Sequence, residues 1–260
     1  MLSLKMMKVL LQDIIHFMQQ WAPEESALTW DNVGLQLGDK KAEVLNVLCA
    51  LEIDNFVLDF LNKQSRFDLI LTHHPLFFKP LSYIDYGSDM AAILRYCFLN
   101  ETAVYAAHTN LDKAKNGVNA CLYKRFGFFE SSKIDIDNGF GAYFETSHCL
   151  DELKAVMPCR LLGAQDTKKV KRVGFACGSG HGLVRYLPNL NIDTLITGEI
   201  TYHDHVFCAF HGIRVIAVGH YASEVLIVSE MVKMLSDQFS GLTVKEAPQW
   251  PTNPEINVYF

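Results

Sequence analysis

Short apolar runs that end in polar, glycine- or histidine-rich turns recur along this chain, alternating with segments of helical periodicity. Such runs suit strands buried on both faces, and their alternation with helices predicts an α/β fold with mainly parallel sheets. The spacing predicts strands over 44–51, 67–72, 102–107, 170–177, 193–197 and 214–218. Helices are expected over 8–20, 54–64, 88–99, 117–126, 149–156, 182–187, 202–211 and 223–239. The least regular stretch, 127–148, holds GFGAYFETS, a candidate connecting strand. The two halves share this order. LNVLCALEID, FDLILTHHP and TAVYAAHTNLD in the first match VKRVGFACGSG, IDTLITGEITYHD and IRVIAVGHYASE in the second. Any α/β chain alternates strand and helix, but here the matched segments also end in the same kinds of residue. The expectation is a duplicated α/β unit: two similar lobes, approximately 1–126 and 149–260, packed as one 1–260 body with no low-complexity linker between them.

Composition narrows the function classes. The 260 residues are 50% hydrophobic and 20% charged with a net charge of −6, which excludes general disorder and allows a substantial core. No apolar run reaches the roughly 20 residues that span a bilayer. The negative balance offers no general surface for nucleic acid. The short basic cluster Lys168, Lys169, Lys171 and Arg172 reads as a solvated turn before a strand. Lys5 and Lys8 precede Val9-Leu10-Leu11, but Gln12 and Asp13 interrupt the run, so an amphipathic helix fits better than a signal peptide. Met1, Met6 and Met7 leave the start codon open. The seven cysteines are scattered, with no C-x-x-C pair, which fits reduced thiols in the cytoplasm.

Ligands of open α/β sheets gather outside the carboxyl ends of strands. There the chain places His73-His74, then His108-Thr109-Asn110-Leu111-Asp112, then Gly198-Glu199, and finally Gly219-His220 with Glu224. Two imidazoles at the end of an apolar strand are costly to bury without partners, and neutral imidazole is a common ligand of transition metals. Pro75 stops the strand just after them. His220 is expected to end a strand and Glu224 to open the next helix, with Ser223 as a cap, not an i, i+4 pair on one helix. Asp112 adds a second carboxylate, although Asn110 and Asp112 also suit an ordinary turn. Each cluster alone has a plain structural reading. Together, three histidines and two carboxylates suit a pair of divalent ions about 3.5–4 Å apart.

His108, Glu199, His203 and Asp204 form an outer set suited to orienting ligands or moving protons, or simply to surface polarity. His205 and His211 read as structural or surface residues, as does His16 in the first helix, while His148 and His181 lack supporting neighbours. Gly174, Gly178, Gly180 and Gly182 miss the G-x-G-x-x-G spacing, so a tight turn is the plainer account than a dinucleotide site. No G-x-S-x-G, H-E-x-x-H or Walker A motif occurs.

The strings WDNVGLQLGD (30–39), LTHHPLFFKP (71–80), AAHTNLD (106–112), TGEITYHD (197–204) and VGHYASE (218–224) resemble the Ngg-interacting-factor-3-like family, whose members are often labelled GTP cyclohydrolase I type 2 homologues. The resemblance spans nearly the whole chain and matches the short bacterial form. It implies a two-lobed α/β subunit with a dinuclear metal site between the lobes, and a homohexamer. Carried over by motif, His73, His74, Asp112, His220 and Glu224 would be the metal ligands, with Glu224 the bridge. Mixed nitrogen and oxygen ligands suit zinc, iron, manganese or nickel. Two functions follow: a metal-dependent hydrolase of a nucleotide, pterin-like or phosphoester molecule, in which His108, Glu199 or His203 moves the proton, or a non-enzymatic metal-binding scaffold acting through protein partners.

Overall fold

In the computed structural model of the protein, residues 8–163, 169–180 and 182–249 are described. They form two compact units. One runs up to Leu111 and adds the segment from Ile227, and the other is Asp112–Leu226. Lys168, His181 and the three candidate start methionines lie outside the described residues. Among the described residues, no helix is long and apolar enough to cross a membrane.

The first unit is built on a five-stranded sheet in the order Thr243–Glu246, Asn46–Ala50, Leu69–Thr72, Ala103–Ala106, Gly34–Leu37. The first four strands are parallel and the last is antiparallel. The segments LILT and AVYA are buried at every position, as parallel strands covered on both faces must be. Val44, expected to open the first strand, instead lies with Glu43 in a short strand that pairs with Val9–Leu10, itself expected to be helical. Helix Asn55–Leu61 starts where the Asp54 side chain accepts from Val57 N at 2.7 Å, and helix Asp89–Asn100 where Ser88 accepts from Ala91 N at 3.2 Å. Such caps satisfy amides that the helix itself leaves unbonded. These helices bury Val57, Leu58, Leu61, Ile93 and Cys97 against Leu48, Ile70 and Val104 of the sheet. The amphipathic helix forms as Leu11–Trp21 and buries Leu11, Ile14 and Met18.

The second unit has a six-stranded sheet in the order Ile134–Ile136, Gly141–Glu145, Arg172–Ala176, Thr194–Thr197, Arg214–Ala217, Arg160–Leu162. Its three strands Arg172–Ala176, Thr194–Thr197 and Arg214–Ala217 are parallel, and every other pairing is antiparallel. The expectation of mainly parallel sheets therefore holds for the first sheet, while the second is mixed. One of its three antiparallel pairings is local: Asp137 and Asn138 adopt φ of 48° and 55°, a left-handed turn that sends Gly141–Glu145 back along Ile134–Ile136. Phe128, Phe144 and Phe175 fill the core, with ring centroids 5.0–5.8 Å apart. The helix expected over 182–187 is only a 3-10 turn, Val184–Tyr186, with Gly182 at φ +84° before it and Pro188 after it. Each unit thus carries three consecutive parallel strands whose carboxyl ends form one edge.

Candidate functional site

In the first unit, Leu69–Thr72 and Ala103–Ala106 run side by side with Thr72 opposite Ala106. Their carboxyl ends therefore bring His73-His74 and His108 together. The ring centroids of His73 lie 5.0 Å from His74 and 5.1 Å from His108, and His74 lies 5.5 Å from His108. One ring nitrogen from each comes within 4.8 Å of the others. The backbone of the pair is fixed where His73 N and His74 N donate to Leu51 O at 3.1 and 2.8 Å.

Every one of these rings has its Nδ1 against an oxygen acceptor. His73 Nδ1 lies 2.9 Å from Ala107 O, His74 Nδ1 3.1 Å from Glu52 Oε2, and His108 Nδ1 2.9 Å from Asp31 Oδ1. A carbonyl or carboxylate there assigns the proton to Nδ1 and the lone pair to Nε2. Oxygen acceptors of this kind orient metal-binding imidazoles and raise their basicity. Asp31 is buried, and its carboxylate also accepts from Thr109 N at 3.0 Å and from the Thr109 hydroxyl. Burial pushes its carboxyl up, but the hydrogen bonds from His108 and Thr109 outweigh that and hold it at about 2.

In the second unit, His220 and Glu224 share one short helix, His220–Glu224, with Nε2 of His220 3.1 Å from Oε2 of Glu224. They are an i, i+4 pair after all. Gly219, at φ +96°, turns the chain from strand directly into helix, so His220 is already helical. Ser223 is not a cap: its hydroxyl donates to His220 O at 2.7 Å and accepts from Gly178 N at 3.1 Å. His220 Nδ1 is 3.0 Å from Glu199 Oε1. The hydrogen bond with Glu224, opposed by burial and aided by Glu199, raises the His220 pKa to about 9.

Glu224 is buried, 4% exposed, and Gly178 makes room for it. A Cβ on Gly178 would stand 2.4 Å from Glu224 Oε1, and Gly178 has φ +56°. The glycine-rich turn therefore serves the carboxylate, in agreement with the tight-turn reading. Asp112 Oδ1 accepts from the Cys177 thiol at 3.3 Å. Burial, the Asp112 and Glu224 carboxylates, and this bond keep that thiol well above its ordinary range. Buried Asn119 ties the same region, with Nδ2 donating to Asp112 O at 3.1 Å and Oδ1 accepting from Cys177 N at 2.8 Å.

The outer set separates by position. His108 joins the imidazole cluster and Glu199 holds His220, while exposed His203 rests its ring on Tyr202 at 5.4 Å. Asp204 receives the Thr201 hydroxyl at 2.6 Å in the first turn of its own helix. Glu199 also lines a cleft of about 480 Å³ with Arg160, Ser179, Tyr202 and His205. Asp31, Glu52 and Asn119 escaped the sequence reading. Glu52 stands just beyond the strand Asn46–Ala50, where the strand-end rule would have found it. Asp31 precedes an antiparallel strand, so only the pairing of Gly34 with Ala106 reveals that it faces the same edge.

Residues 9–252 match the family model Duf34/NIF3 (NGG1p interacting factor 3). A "GTP cyclohydrolase 1 type 2 homolog" of Clostridium perfringens is 31% identical, with 91% of this chain and 97% of that protein covered. A "GTP cyclohydrolase 1 type 2" of Helicobacter pylori is 31% identical, with 86% and 91% covered. Among solved structures, reduced HcgD from Methanocaldococcus jannaschii has a TM-score of 0.80 at 24% identity, covering 94% of this chain and 99% of that one, a likeness of fold. With its family model matched along nearly the whole chain and its strand-end motifs in place, this chain belongs to the Duf34/NIF3 family.

Proposed function

We propose that this protein holds two divalent transition-metal ions with His73, His74, Asp112, His220 and Glu224, and hydrolyses a nucleotide, pterin-like or phosphoester small molecule. The observation that carries the reading is the fixed tautomer of the imidazoles, each with Nδ1 on an oxygen and the lone pair on Nε2. The donor set fits such ions: imidazole nitrogens in one unit, two carboxylates and an imidazole in the other, and no thiolate, since Cys177 stays protonated. Ions bound there would supply Lewis-acid chemistry, polarising a substrate oxygen and acidifying water. The chain's own part is proton handling. His108 Nε2 is placed to take a proton, and Asp31 holds the other nitrogen protonated and steadies the charge that results. Glu199 orients His220. The name of the Helicobacter pylori relative supports a purine nucleotide as the first substrate to try.

Metal analysis of the native protein, followed by a hydrolase panel in that metal, tests this. We expect two ions per chain, loss of metal in Asp112→Ala and Glu224→Gln, and no turnover by either variant. Wild-type turnover by Asp112→Ala, or a chain that copurifies with no metal and takes up none, would overturn it.

The remaining expectations belong to the same proposal. The three-strand parallel core of each unit supports a duplicated subunit, approximately 1–126 and 149–260, with the two donor sets joined in a dinuclear site between lobes. Exposed Phe98, Leu99 and Phe210 support assembly into a homohexamer. The free cysteines support a reducing cytoplasm. A scaffold acting through protein partners is favoured by one observation, the description of the family as an interacting factor.

A further inference from the structure

We infer that Trp30 and Phe78 form a stacking platform for the planar heteroaromatic ring of the substrate, beside His108. The inference rests on the proposed hydrolase reading and adds to it the part of the substrate that the first unit recognises. Trp30 is 57% exposed and Phe78 52% exposed, yet both are held in place. Trp30 sits in a turn in which Asp31 N donates to Leu28 O at 2.9 Å. Both ends of that turn are tied to one residue: Leu28 N donates to Thr109 Oγ1 at 2.9 Å, and the Asp31 carboxylate accepts from Thr109 N at 3.0 Å. Phe78 is held through its neighbour, since Phe77 N donates to Gln36 Oε1 at 3.0 Å and Phe77 O accepts from Asn32 Nδ2. Two large apolar faces kept in water on braced backbone are a preorganised contact surface, since bracing removes the ordering cost at binding.

The rings also have a direction. Trp30 and Phe78 stand 5.7 Å apart at 54°, and their centroids lie 6.1 and 6.2 Å from His108 at 73° and 70°. The three rings make an open corner. A flat ligand laid parallel to either wall stands at 73° or 70° to the imidazole plane, and its edge is where a purine or pterin carries its nitrogens and oxygens. With Nδ1 held on Asp31, the His108 lone pair is left on Nε2. Both aromatic residues thus act as positioning and specificity residues, placing the ring by its π-face.

Equilibrium binding of guanosine to the full-length protein, with ribose 5-phosphate as the ring-free control, tests the platform. We expect saturable guanosine binding that quenches tryptophan emission, affinity lowered about tenfold or more in Trp30→Ala and in Phe78→Ala, and most of it kept in Trp30→Phe. Ribose 5-phosphate should bind equally to all four proteins. Unchanged guanosine affinity in both alanine variants overturns the inference. So does an equal loss for ribose 5-phosphate, or no saturable binding of guanosine, adenosine or neopterin to the wild type. A variant that changes only the oligomeric mass, with guanosine affinity intact, would make the pair a subunit contact and would also overturn it. Metal content is read in parallel. A wild type that holds both ions but binds none of these rings defeats the platform alone, whereas a metal-free wild type that still stacks guanosine defeats the hydrolase reading alone.

Discussion

At His108 the ring's behaviour is set by Asp31, a carboxylate far away in the sequence but 2.9 Å away in space. The carboxyl of Asp31 sits at about 2, below its ordinary 3.8, so its ionised form is bound more tightly in the folded chain than in the unfolded one. The sign follows from linkage: this stability is fully present above about 3.8 and is lost as pH falls through about 2. Asp31→Asn should destabilise the protein by about 1–3 kcal/mol at pH 7, because it weakens the three charge-assisted bonds from His108 Nδ1, Thr109 N and the Thr109 hydroxyl. Urea unfolding should show that difference shrinking between pH 4 and pH 2, and a constant difference across that range would count against the account. His73 and His74 were legible from sequence because an apolar run ended on them. Asp31 was not, because its role depends on a hydrogen bond to a residue on another strand's end.

At the scale of elements, the tight turns after the strands decide where carboxylates can sit. Gly178→Ala puts a Cβ 2.4 Å from Glu224 Oε1 at a backbone with φ +56°. Left-handed geometry costs about 1–2 kcal/mol for an L residue, and the clash displaces the carboxylate besides. Gly182 has φ +84° but nothing within 4 Å of its would-be Cβ. Gly182→Ala should therefore lower stability in thermal melts by the backbone cost alone, and Gly178→Ala should lower both stability and metal affinity. Equal metal affinity in the two variants would contradict the packing described around Glu224. The strands Asn46–Ala50, Leu69–Thr72, Ala103–Ala106, Gly141–Glu145, Arg172–Ala176, Thr194–Thr197 and Arg214–Ala217 and most helices were legible, to within a few residues, from apolar periodicity. The strands Gly34–Leu37, Ile134–Ile136, Arg160–Leu162 and Thr243–Glu246 were not, and Val9–Leu10, expected within the first helix, is a strand. The helix His220–Glu224 was not, because Gly219 at φ +96° lets a strand pass into a helix without the expected cap.

Over the whole molecule, the cores are apolar and complete without the candidate metal residues. Phe144, Phe175, Leu48 and Ile70 are buried, and burying such side chains contributes roughly 1.5–3 kcal/mol each. Chelation, or His74→Ala, should therefore remove metal while leaving the far-UV circular dichroism nearly unchanged. Unfolding on metal removal would make the site a structural one. By itself the sequence determined the α/β class and the strands Asn46–Ala50, Leu69–Thr72, Ala103–Ala106, Arg172–Ala176, Thr194–Thr197 and Arg214–Ala217. It also determined the positions of His73, His74, His108, Asp112, His220 and Glu224 just beyond the ends of three of them. Those follow from periodicity and turn residues, which act between near neighbours in the chain. Only the tertiary structure decided that Thr243–Glu246 joins the sheet of the first unit beside Asn46–Ala50, and that the second sheet is mixed. It also decided that Asp31 and Glu52 set the tautomers of His108 and His74. Strand pairing and hydrogen bonding join residues distant along the chain, and no local pattern records which partner a strand edge or an imidazole nitrogen will meet.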